Sequence, residues 1–332
     1  MRELLKAEAL SRYYPQKQQK IAGKYPPVKA VNGVSLILNR GETLGVIGES
    51  GCGKSTLGRL LVQLEKQTGG TLTLLGQDAG ALLKKDPLQF RRLAQIVFQN
   101  PYDAFNPRFT ILKSMVRPLK IHHIGETDAA REKLCFQALE SAGMSPAKDY
   151  LSRFPHELSG GQLQRISILR SMLLSPAFLV ADEPVSMLDV SVRAEVMNLL
   201  TALIREKDMG MVFISHDIGT TRAIAEKLMV MYLGRAVETG ETDEVLKHPM
   251  HPYTQALLSN CGTLNAEEFS PIRISGEPPV PIGDCPGCPF APRCFRAKPE
   301  CFEKAPALEE VSPGHFTACH APMSYEAYLQ TE

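Results

Sequence analysis

The chain has 332 residues, with 37 lysines and arginines against 36 aspartates and glutamates, so its formal net charge of +1 offers no overall field that would draw it to nucleic acid. No uninterrupted apolar stretch reaches the roughly 18 to 20 residues that a membrane-spanning helix needs, and the start MRELLKAEALSRYY is no secretory signal peptide. A soluble, cytosolic chain is expected, with one large core and an appendage, because Pro and Cys crowd the sequence after about Glu277.

In chain order, LLKAEALSRYY and AVNGVSLIL show short alternating apolar runs, and the charged, Pro-containing PQKQQKIAGKYPPVK between them reads as a loop. Two antiparallel strands are expected there. ETLGVIG is an apolar strand running into a Gly-rich turn, and STLGRLLVQLE places Leu60, Leu61 and Leu64 at helical spacing. QIVFQ is a further apolar strand. Residues 128–142 and 146–151 are predicted helical, and a loop over 154–158 leads into a helix that starts near Ser159, so a mostly helical insertion over about 101–175 is expected. FLVAD and MVFIS return to apolar strands on either side of a long helix over about 192–206, the alternation of a parallel sheet. No repeat is evident.

GESGCGKS matches the phosphate-binding pattern G-x-x-x-x-G-K-[ST] through Gly48, Gly53, Lys54 and Ser55, with the strand before it and the helix after it that the pattern requires. Glycines let backbone N–H groups turn inward, and these donors with the positive helix end hold phosphate oxygens. The contacting stretch is Gly48, Glu49, Ser50, Gly51, Cys52, Gly53, Lys54, Ser55 and Thr56, in which Lys54 reaches the β- and γ-phosphates and Ser55 ligates Mg²⁺. FLVAD ends at Asp182 and Glu183, where a parallel sheet presents side chains to a ligand. Asp182 suits Mg²⁺ through water, and Glu183 suits activation of an attacking water. Between these two motifs lies LSGGQ at 158–162; taken alone it is also a helix-capping turn with Ser159 as N-cap.

Phosphate loop, LSGGQ, acidic strand end and a later His216, in that order, resemble an ABC-type ATPase domain. The resemblance implies an α/β fold: an ABC-type P-loop ATPase domain with an antiparallel β subdomain, a helical insertion and a small Cys-rich C-terminal tail, divided as 1–260 and 261–332. It makes Gln99 the residue that senses Mg²⁺ and the attacking water, His216 the switch that contacts the γ-phosphate, and Asp189 of SMLD part of a loop at a dimer interface. Met187 departs from the alanine more usual there. Tyr14 stands where the family stacks an aromatic on adenine, with adjacent Tyr13 as the other register. The resemblance further implies that Ser159, Gly160, Gly161 and Gln162 serve the nucleotide of a partner domain in an ATP sandwich.

GESGCGKSTLGRLL, IVFQNPYDAFNPR, RFPHELSGGQLQRI, ADEPVSMLDVSVRAEVMNLL, MYLGRAVETG and HPYTQALLS are similar to the ATPase subunits of dipeptide and oligopeptide importers, a group that also includes nickel, opine and metallophore importers. Implied partners are a sister ATPase subunit in a heterodimer, two membrane permease subunits and, indirectly, an extracytoplasmic solute-binding protein, on the cytoplasmic face of a bacterial inner membrane. Soluble ABC ATPases acting on ribosomes or DNA are the alternative class; those carry a second ATPase domain or a long coiled-coil insertion, neither visible here.

Of eight cysteines, Cys52, Cys135 and Cys261 stand alone while Cys285, Cys288, Cys294, Cys301 and Cys319 crowd the end, a clustering that favours metal over disulfides in a reducing cytosol. Within the resembling family, comparable cysteines bind a four-iron four-sulfur cluster in some members, which implies Cys288, Cys294, Cys301 and Cys319 here. Cys285 and Cys288 form a C-x-x-C spacing that zinc also accepts, and free thiols or oxidised pairs complete the alternatives. His315 and His320 are expected on the surface.

Overall fold

The computed structural model describes residues 3–21, 24–260, 272–324 and 327; Cys261 lies outside the described residues. The chain folds as two compact units, one of residues 1–4, 38–41 and 74–212, the other of residues 5–37, 42–73 and 213–332.

The first unit has two short strands, Ala94–Val97 and Phe178–Asp182, that pair in parallel with Val97 opposite Ala181. All five residues of Phe178–Asp182 are buried, as expected of a strand covered on both faces. The helices Ile111–Ile121, Asp128–Ser141, Ala147–Leu151 and Gly160–Met172 share a core built on Ile111, Met115, Leu139, Leu163 and Ile166. Side chains fix where these helices begin: Thr110 accepts from the Lys113 N–H, and Thr127 from the Ala130 N–H at 3.1 Å. A longer helix, Val190–Lys207, buries Val196, Leu200 and Ile204 at four-residue spacing.

The second unit contains all but the last two residues of the strand Val28–Asn39, and there buried Val34 and Leu36 alternate with exposed Ser35 and Ile37, the signature of a strand with one face on a core. Its other strand set begins with Thr43–Ile47, fully buried and parallel to Lys227–Tyr232. Arg235–Glu241 then pairs antiparallel with Lys227–Tyr232 and with the tail strand His315–Thr317, which in turn pairs with Glu309–Ser312. These two short strands of the tail extend the sheet. The unit's core joins Ile47, Val230, Tyr232 and Tyr253 to Phe290 of the tail. Phe290 packs edge-on to Tyr232 at 5.3 Å and lies 5.4 Å from Tyr253.

Among the described residues no helix is long and apolar enough to cross a membrane.

Candidate functional site

In the second unit the strand Thr43–Ile47 turns directly into the loop before helix Lys54–Leu61. Gly48 and Gly53 have positive φ, 152° and 104°, and a Cβ on them would stand 2.3 Å from Met231 O and 2.0 Å from Ala30 O. Only glycine fits either place. The loop is also tied from outside, since Gly234 N–H donates to Cys52 O at 2.8 Å and Glu49 N–H donates to Tyr253 Oη at 2.8 Å. Lys54 is buried, and its Nζ donates to Gly48 O at 2.7 Å and Glu49 O at 3.0 Å, so the cation sits within the loop it closes. Ser55 and Thr56 are half-buried in the first turn of the helix, and Ser50 and Gly51 are exposed. Cys52 is buried, and burial pushes its thiol up, with the Lys54 cation acting against it.

His216 follows the buried strand Gly210–Ile214 and is exposed, one residue beyond buried Ser215. Tyr13 Oη lies 2.7 Å from the Asn32 amide, whereas the Arg12 guanidinium lies 4.4 Å over the Tyr14 ring.

In the first unit Asp182 is buried at the end of its strand, and Glu183 next to it adopts φ 48°, the left-handed region that costs a non-glycine residue about 1 to 2 kcal/mol. That turn aims the carboxylate at Gln99, whose Nε2 donates to Glu183 Oε2 at 2.9 Å. Ser186 Oγ donates back to Glu183 O at 3.1 Å. Gln99, Glu183 and Asp182 are thus brought to one strand edge.

Ser159 caps the helix Gly160–Met172: its Oγ accepts from Gln162 N–H at 3.3 Å while Gln162 Oε1 accepts from Ser159 N–H at 3.1 Å. The capping and signature readings of LSGGQ are therefore compatible. Ser159 is exposed at the positive end of this helix, and Gly161 is buried against Val192. Asp189 is exposed between Met187 and Val190, apolar side chains that are 64% and 81% exposed.

In the tail, Cys288, Cys294, Cys301 and Cys319 line one cavity together with Arg296 and His320. Burial, and then nearby Cys319 and Cys294, push the Cys288 thiol up to about 11; burial also raises Cys294, with Cys319 and Cys301 beside it, and Cys319, with Cys301 and Glu238 beside it, while Arg296 acts against both. Four thiols and a cation lining one cavity are the donor set that a thiolate-bound centre uses. Among the described residues, however, no three His, Cys, Asp or Glu side chains stand as a group ready to hold a metal ion. Cys285 is exposed, bonded to Gly287 O at 3.4 Å, and does not line the cavity.

The surface expectation for His315 is corrected. It is buried, and its Nε2 lies 2.8 Å from an oxygen of the fully buried Glu238, which also accepts from the Met250 and His251 N–H groups. His320 is half-buried, with Nε2 2.7 Å from Lys304 O.

Sequence reasoning missed Arg293. Its guanidinium forms two bonds to Glu49 of the phosphate loop, Nη1 to Oε2 at 2.7 Å and Nη2 to Oε1 at 3.1 Å. The partners are 244 positions apart, so no local pattern could have signalled the pair.

The profile described as ABC transporter matches residues 31–186, and that described as the C-terminal region of oligopeptide/dipeptide transporters matches residues 237–301. The putative oligopeptide transport ATP-binding protein YkfD of Bacillus subtilis is 46% identical over 302 residues, covering 90% of this chain and 91% of that one. The dipeptide transport ATP-binding protein DppF of Escherichia coli is 46% identical over 325 residues, covering 96% and 94%. Among solved structures, the ATP-binding cassette MJ0796, a dimer in a post-hydrolysis state bound to ADP and Pi, superposes with a TM-score of 0.64 at 25% identity, covering 72% of this chain and 99% of that one.

Proposed function

Because the chain belongs to the ABC transporter ATPase family, in the branch of oligopeptide and dipeptide transport ATP-binding proteins, we propose that it is the ATP-hydrolysing motor of an importer that brings short peptides into the cell. The observation that carries this reading is the phosphate loop, where two glycines fill places closed to any side chain and a buried lysine gathers the loop carbonyls.

On this reading, backbone N–H groups of Gly48 to Thr56 cradle the phosphates, and Lys54 leaves its loop carbonyls for β- and γ-phosphate oxygens. Ser55, Gln99 and, through water, Asp182 are the residues that would hold Mg²⁺, which would offset phosphate charge. Glu183 polarises the attacking water, with Gln99 orienting its carboxylate, and His216 contacts the γ-phosphate. Tyr14 stacks on adenine, a role supported by the engagement of the Tyr13 hydroxyl with Asn32.

ATP joins two such chains. Exposed Ser159 with Gly160, Gly161 and Gln162 presents a helix N-terminus to the γ-phosphate on a partner, and the apolar pair Met187 and Val190 flanking Asp189 supports burial against that partner. The partner is a sister ATPase subunit, and the assembly sits on two permease subunits at the cytoplasmic face of the membrane, fed by an external solute-binding protein.

The nucleotide residues before 260 and the cysteines after it divide the chain by role. Cys288, Cys294, Cys301 and Cys319 would ligate a four-iron four-sulfur cluster, which supplies a structural staple to a tail poor in apolar residues. The shared cavity and Arg296 support this assignment. Zinc is the other occupant that metal analysis would reveal.

The test is ATP-driven uptake of a labelled dipeptide by vesicles holding the assembled transporter. Uptake of nickel or an opine instead would reassign the solute and keep the motor. ATP turnover without any uptake would reject the transport role.

A further inference from the structure

Glu49 is the single carboxylate of GESGCGKS, and a negative charge within an anion-binding loop opposes the ligand that the loop is built to take. The structure offsets that charge from far along the chain. Arg293 grips both Glu49 oxygens in the two-bond geometry that guanidinium and carboxylate share. The pair is sheltered, the Arg293 side chain being 8% exposed and that of Glu49 26%.

Arg293 is itself held rigid. Its Nη1 lies 3.2 Å from Tyr232 Oη, and its Nη2 donates to Gly276 O at 3.0 Å. The backbone that presents it is a tight turn in which Ala291 N–H donates to Cys288 O at 3.0 Å and Arg293 N–H donates to Phe290 O at 2.9 Å. Phe290, three residues before Arg293, is locked among Tyr232 and Tyr253, and Tyr253 Oη accepts from the Glu49 N–H. Main chain and side chain of Glu49 are thus both held by the second unit's core and tail.

We propose that Arg293 is a positioning residue of the nucleotide site: it neutralises the Glu49 carboxylate and holds it aside, so that the phosphate loop accepts the phosphates of ATP. The inference rests on the reading of that loop as the ATP seat. It gives the tail a part in nucleotide binding through one side chain, next to Cys294 of the thiol cavity.

The experiment is titration of the purified full-length chain with a fluorescent ATP analogue and Mg²⁺, with thermal melting as a check on folding. Arg293→Ala and Arg293→Gln should each weaken binding about tenfold, which corresponds to about 1.4 kcal/mol. Arg293→Lys keeps the charge without the fork and should lose less. Adding Glu49→Gln to Arg293→Ala should recover most of the lost affinity, because the uncompensated charge is then gone; a merely structural role for Arg293 predicts no recovery. Glu49→Gln alone leaves a cation beside the loop and should bind at least as tightly as wild type, an outcome independent of how Arg293 variants fold. Wild-type affinity in both Arg293→Ala and Arg293→Gln, absence of rescue, or a tenfold loss in Glu49→Gln would each overturn the proposal. Lys54→Ala separates the two readings, since wild-type binding by that variant would show that the loop is not the seat.

Discussion

Gln99 Nε2 donates to Glu183 Oε2 at 2.9 Å, across the ends of two parallel strands that pair at Val97 and Ala181. Each side chain stands two residues past that pair, so sheet register alone brings amide and carboxylate together, and the left-handed turn at Glu183 completes the aim. Glu183→Gln keeps the shape and loses the base-like charge. The chain should still bind ATP while hydrolysis falls by roughly 10² to 10⁴. Gln99→Ala, which frees the carboxylate and removes a proposed Mg²⁺ ligand, should lose at least about tenfold. Single-turnover measurements check both, and normal turnover by Glu183→Gln would remove Glu183 from the chemistry.

Ser159 is exposed at a capped helix start, and the role assigned to it lies on a partner's nucleotide. Ser159→Arg should leave the isolated chain's ATP affinity within about twofold of wild type and prevent ATP-induced dimerisation with the sister subunit. Gel filtration with non-hydrolysable nucleotide reads the second effect. A loss of the monomer's own affinity would contradict action across an interface.

Phe290 is 1% exposed among Tyr232, Tyr253 and His251, so Phe290→Ala leaves a cavity at the point where the tail enters the core. The expected cost is about 3 to 5 kcal/mol in the denaturant unfolding of this unit. A change below about 1 kcal/mol would mean that the tail packs independently.

The thiol cavity makes a prediction about which cysteine is dispensable. Protein purified without oxygen should be brown, with broad absorption near ~400 nm and about four irons per chain. Cys285→Ser should keep the colour, because Cys285 is exposed and does not line the cavity, and Cys288→Ser should bleach it. Colourless protein with about one zinc would assign zinc instead, and metal-free protein that remains folded and active would reject both.

The site was legible where its chemistry is local. Gly48, Gly53 and Lys54 announce themselves by spacing, and Asp182 and Glu183 by ending an apolar run. The helix Ile111–Ile121 carries a weak sequence signal, because Pro118 lies inside it and proline ordinarily marks a helix boundary. The helix after the phosphate loop was expected to include Leu64 but ends at Leu61, and Gln63 beyond it adopts φ 52°. His315 looked like a surface residue because its partner Glu238 is 77 positions away, in a strand whose neighbour is formed by His315's own segment. Arg293 and Glu49 were invisible for the same reason: long-range pairs follow from topology, which short sequence patterns do not encode.

The central claim, that this chain turns ATP hydrolysis into solute import, is tested most directly by one comparison. Vesicles holding the permease subunits and sister ATPase are assembled with either wild-type chain or Lys54→Ala, and ATP-driven uptake of a labelled dipeptide is measured in the presence of the solute-binding protein. Lys54 Nζ is the buried cation of the phosphate loop, bonded to Gly48 O at 2.7 Å, and its removal should abolish the chain's ATP binding and reduce uptake at least tenfold. Uptake by Lys54→Ala vesicles equal to wild type, with equal ATP turnover, would contradict the account.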